Sequence, residues 1–204
     1  MQLIHVHLLS MSHDMKKKLL SSIIIILALI CALSGIHITV DTRQHQTERL
    51  LIVTALCSNA YGVSQNIIYT LDVADNTYDD AAIIGTKIYL DRLVDNFMIM
   101  NESSYSFKYN YLLWQFAFIE DTDNVYSAIT VVRDRFTEIF EKHISGTPPN
   151  NADYVFLRGL QSTLYDFYSS LQNEDGSINK KAITKTHLSE KLEILTNAFH
   201  ALIT

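Results

Sequence analysis

LLIVTALCSNAYGVSQNIIYTL, residues Leu50 to Leu71, decides the fold. Leu50, Val53, Cys57, Ala60, Ser64, Ile67 and Leu71 recur with alternating spacings of three and four. That spacing puts them on one stripe of a helix, which needs another surface to cover it. The pattern predicts a helix from about Thr42 to Asp72. At 1.5 Å per residue it is roughly 45 Å long. LDVADNTYDD, residues 71 to 80, then reads as the first turn. Asn76 or Thr77 is placed to cap the next helix, with Asp79 and Asp80 near its positive end.

Working outward, the same stripe returns four times. Ile83, Thr86, Leu90, Leu93, Phe97 and Met100 mark a second helix, closed by Asn101-Glu-Ser-Ser104. Val125, Ile129, Val132, Phe136 and Ile139 mark a third, with Glu138 and Lys142 as an i,i+4 pair. Gly146 is placed to end it, before the loop Thr147-Pro-Pro-Asn-Asn151. Leu157, Leu160, Leu164, Phe167 and Leu171 mark a fourth, and Asn173 to Ser177 is a turn. Leu188, Leu192, Leu195, Phe199 and Leu202 mark the last. Between Tyr105 and Phe118 the pattern is double. Tyr105, Phe107, Tyr109 and Tyr111 alternate like a strand, while Tyr111, Trp114 and Phe118 keep helical spacing. Helix is the expectation, because a lone strand has no partner elsewhere in the chain. Short connections make successive helices antiparallel neighbours. The expected fold is all-α, an up-and-down bundle of four to five antiparallel helices after an N-terminal hydrophobic membrane or signal segment.

That segment is LLSSIIIILALICALSGI, Leu19 to Ile36, directly after Lys16, Lys17 and Lys18. No charge follows until Asp41. A spanning helix needs about 20 largely apolar residues, and His37 to Val40 extends the run. Lysines ahead of it predict an inside amino terminus and an exported remainder. A cleaved signal peptide is the alternative. Ile23 to Leu33 has the length of its apolar centre, and Ala32 with Ser34 could direct cleavage before Gly35. Cys31 does not make a lipoprotein signal, since bulky Ile30 precedes it. The expected organisation is residues 1–15 as an over-extended or disordered start, 16–40 as signal-anchor or signal peptide, and 41–204 as the exported bundle. In that setting the partner of residues 19–40 is a membrane, and the location is a single-pass cell-membrane protein or a secreted one.

Residues 41–204 carry 13 Lys+Arg against 21 Asp+Glu, a net charge of −8. An acidic surface repels phosphate backbones, so no nucleic-acid partner is expected. It also disfavours docking on anionic lipid beyond the anchor. Cys57 is the one cysteine of this part, so no internal disulfide can form and the core must hold the domain.

Candidate sites each meet a plainer explanation. The aromatic stretch 105–118 could line a pocket, with Tyr109 and Trp114 as ligand-binding candidates, yet such stripes are mostly packing. His187 and Glu190 stand one turn apart, the reverse of a bundle metal pair and without a second copy. His5, His7 and His13 cluster in the start segment. His143 sits where it favours a helix end, and His200 at the edge of the core. Asp72, Asp75, Asp79 and Asp80, like Asp121 and Asp123, lack the register of a calcium loop. No metal and no cofactor is expected. Asn101-Glu-Ser103 matches an N-glycosylation acceptor. Gly62, Gly85 and Gly159 cost a helix interior about 1 kcal/mol each, which points to close helix approach or a local bend. The sequence has no Gly-x-Ser-x-Gly elbow, phosphate loop or His-Glu-x-x-His.

The expected function is therefore non-catalytic. The chain reads as a membrane-anchored or secreted extracytoplasmic bundle that binds an unknown protein or itself. Ser64 and Thr86, polar positions on the stripes, hint at pairing register. The alternative is a ligand-binding or sensory ectodomain with its pocket at 105–118.

Overall fold

The computed structural model describes residues 13–71, 79–108, 122–181 and 184–204. Within them, the side chains of 13–16, 18–19, 37–49, 102–108, 122–123 and 185 lie outside the description. Five helices make up the described residues: α1 (His13–Leu71), α2 (Asp80–Lys108), α3 (Thr122–Ile144), α4 (Asn151–Ser170) and α5 (Lys185–Ile203). The chain divides into two compact units, Met1–Thr47 and Glu48–Thr204.

In the first unit, the described side chains of the apolar run extend from Leu20 to Ile36, and every one is exposed. Leu19 and the extension from His37 to Val40 fall outside them. Among the described residues, no helix is long and apolar enough to cross a membrane.

The second unit is built on the five stripes. Val53, Cys57, Ala60, Ser64 and Ile67 of α1 are buried, as are all the stripe residues expected on α2, α3 and α4. Leu188, Leu192, Leu195 and Phe199 of α5 join the same apolar core. Polar stripe positions are satisfied inside the chain. Ser64 Oγ accepts from Gln161 Nε2 at 3.2 Å, and Thr86 Oγ1 donates to the Ala82 carbonyl at 2.9 Å.

Residue pairings give the direction of each helix. Gly62 lies under the Tyr89 ring and Gly85 under Asn66, so α1 and α2 run antiparallel. Ser64 meets Gln161 and Tyr61 meets Tyr168, so α1 and α4 do too. α2 packs on α3, and α5 packs on both α3 and α4. Asn124 shares a hollow with Leu192 and His200, while Glu138 shares a groove with Ala201 to Thr204, so α3 and α5 run parallel. The circuit is α1-α2-α3-α5-α4. Helices two apart in the chain run the same way when successive ones alternate, so this parallel contact accompanies the expected up-and-down order. Five helices that alternate up and down cannot close a ring without one parallel pair.

The helix ends show why the elements stop where they do. Asp79, rather than Asn76 or Thr77, caps α2. Its Oδ1 accepts the Ala82 N–H at 2.7 Å and its carbonyl accepts the Ile83 N–H at 2.9 Å. Residues 72–78 lie outside the description. At its far end α2 passes through Asn101 to Ser104 and continues to Lys108, so those residues do not close it. Asn and Ser are weak helix formers, not breakers, and no Gly or Pro stands there to stop the chain. Tyr105 to Lys108 are thus helical, not strand; 109–121 lie outside the description.

Gly146, at φ +71°, ends α3 as expected. The Thr147 N–H reaches the Lys142 carbonyl at 2.9 Å and the Gly146 N–H reaches that of His143 at 3.0 Å, a Schellman ending. Between α4 and α5 the turn is a small hairpin with an antiparallel bridge from Gln172 to Ile178. Gly176 takes φ +80° at its tip. The Ser177 hydroxyl and N–H both bond Asp175 Oδ1, which holds that carboxyl below its ordinary range.

Candidate functional site

The strongest electrostatic feature is built where α3 gives way to α4. Pro148 and Pro149 keep the chain extended, and Asn150 begins α4 with a capping box. The Asn150 side chain accepts the Asp153 N–H at 2.9 Å, and Asp153 Oδ2 accepts the Asn150 N–H at 3.0 Å. The Asp153 side chain is fully buried. Its Oδ1 also accepts from Arg135 Nη2 at 2.8 Å, and Lys142 Nζ lies 3.0 Å from both oxygens. Burial by itself would raise the Asp153 carboxyl. The Asn150 N–H and the two cations outweigh it and hold the group below its ordinary value.

This cluster corrects the expected Glu138–Lys142 pair. Lys142 turns to the buried carboxylate, where a charge is more strongly felt, and Glu138 pairs with Arg135 Nη1 at 2.8 Å instead. Asp153 and Arg135 are not among the residues the sequence pattern marks. The capping-box spacing of Asn150 and Asp153 after two prolines was the available signal. The cluster's chemistry is structural: all of Asp153's acceptor sites are spent on α3 and its own helix start.

Beside it runs an open groove of about 680 Å³ between α3, α4 and α5. Val131, Val155, Phe156, Leu202 and Ile203 give an apolar floor, with Asp134, Arg135 and Glu138 on the rim. Arg135 is held by Asp153 and Glu138 and lies 5.7 Å from the Phe156 ring centre. It is committed to the fold rather than offered to a ligand.

A third feature lies on α1 and α4. Tyr61 and Tyr168 have ring centres 4.7 Å apart, and Tyr165 lies 6.2 Å from Tyr168. Tyr61 and Tyr165 are exposed on this face. The close Tyr61–Tyr168 pair leaves no gap for a ligand between the rings. The sequence carried no signal for it, since the rings come from helices far apart in the chain.

The expected candidates fall as follows. Tyr109 and Trp114 lie outside the described residues, as do His5, His7, Asp72, Asp75 and Asp121 and the side chains of His13 and Asp123. His187 Nδ1 and Glu190 Oε2 are 3.4 Å apart with both side chains exposed, a solvated pair. His143 Nε2 lies 2.7 Å from Asp80 Oδ1, joining the end of α3 to the start of α2. Asn101 of the glycosylation triplet is half-buried within α2. Cys57 is buried, and desolvation pushes its thiol up to about 11, so it stays protonated. Among the described residues no group of three or more His, Cys, Asp or Glu is placed to hold a metal ion. No protein-family model, curated protein or solved structure matches the chain.

Proposed function

We propose that the chain is a membrane-anchored, extracytoplasmic helical-bundle protein that acts by binding another protein chain rather than by catalysis. The observation that carries this reading is the apolar segment from Leu20 to Ile36. It is helical, its large side chains are 45 to 65% exposed, and no face of it is polar. A soluble surface rarely tolerates so continuous an apolar area, and lipid is the solvent that suits it. The three lysines ahead of it favour an inside amino terminus and an outside bundle. The bundle's net charge of −8 favours solvation rather than adsorption to anionic lipid.

Fractionation of an expressing bacterial host tests the reading. The expected result is an intact amino terminus in the membrane fraction, resistant to alkaline washing, with the bundle digested by protease added from outside. A chain beginning near Gly35 in the soluble exported fraction would replace the anchor by a cleaved signal. An intact chain in the soluble cytoplasmic fraction would overturn both.

A further inference from the structure

We draw no further inference here: the strongest candidate, the groove of about 680 Å³ between α3, α4 and α5, has its rim charges Asp134, Arg135 and Glu138 spent on ion pairs within the chain, so nothing in the structure shows what covers its apolar floor.

Discussion

Two stretches of α1 lack charge, and they do so in different ways. Leu20 to Ile36 is apolar on every side, and its side chains are exposed all round. Leu50 to Leu71 interleaves Thr, Ser, Asn and Gln with its aliphatics. One of its stripes is buried in the core, while Leu51, Thr54, Ser58, Tyr61 and Tyr69 are exposed. The first stretch has no inside and no outside, so water suits none of it. The second has both, which is why it folds with four other helices. Hydrophobicity alone does not separate them; the arrangement of the polar residues does.

The sharpest contrast concerns protons. The bundle hangs partly on the buried Asp153 carboxylate, whereas Leu20 to Ile36 contains no acid or base that titrates below neutral pH. The folded Asp153 pKa lies below the unfolded value of about 3.9. Its contribution is therefore fully present above that pH and is lost as the pH falls through the folded value. Asp153→Ala should cost about 3 kcal/mol at neutral pH, the low end for a broken buried pair, because Arg135 and Lys142 are 27 and 32% exposed and can regain water. The variant should also flatten the acid limb of stability below about pH 4. Urea unfolding of the detergent-solubilised chain across pH, followed by circular dichroism, measures both. On the proposed anchoring, fractionation of the chain should not change with the substitution.

The same truncation in each stretch tests the comparison directly. Leu56 is fully buried, so Leu56→Ala should cost the bundle about 2–5 kcal/mol. Ile26 is 55% exposed, so Ile26→Ala should leave bundle stability within about 0.5 kcal/mol. Equal losses in urea unfolding would erase the distinction. A charge reverses the roles. Leu27→Arg places a cation mid-run, where insertion costs about 2.5–3.5 kcal/mol. On the proposed anchoring, the membrane-bound fraction should fall while the unfolding of the bundle stays as it was.

The bundle was legible because its five stripes are written in residues of unmistakable type. The expected positions from Val53 to Ile67 and from Ile83 to Phe199 on the later stripes are inside, while the stripe ends are not fully so: Leu50 is 37% exposed and Leu71 and Leu202 are half-buried. Helix ends were harder, since local capping decides them. Gly146 is a strong stop, whereas Asp79, expected only as a favourable charge near the helix start, takes the capping role expected of Asn76 or Thr77. The expected close at Asn101 to Ser104 mistook weak helix formers for a boundary. The order of the helices around the ring, and with it the parallel α3–α5 contact, depends on which stripes meet, and no single stripe contains that. The Asp153 cluster hid for a related reason. Its cations come from a helix that precedes it, and Lys142 had a plausible partner in Glu138 on its own helix.

The smallest effects bear on how tightly the second stretch is seated. Gly62 and Gly159 are both glycines in helix interiors, and Ala at either gains about 1 kcal/mol of helix propensity. What the added methyl meets differs. At Gly62 it meets the Tyr89 ring at 2.7 to 2.9 Å. That ring is half-buried against the core and also receives Arg92, 5.8 Å from its centre, so it has little room to withdraw. Overpacking of this kind costs about 1–3 kcal/mol, and Gly62→Ala should lose about 1 kcal/mol net. At Gly159 the methyl meets only the far end of the Leu202 side chain, on the last turn of a half-buried helix end. A rotamer change relieves it, so Gly159→Ala should be neutral or slightly stabilising. A loss at Gly159 as large as at Gly62 would mean that α5 is packed as firmly at its end as α1 is at its middle. A larger loss at Gly62, read in urea midpoints at constant slope, would mark the α1–α2 contact as the least adjustable in the bundle.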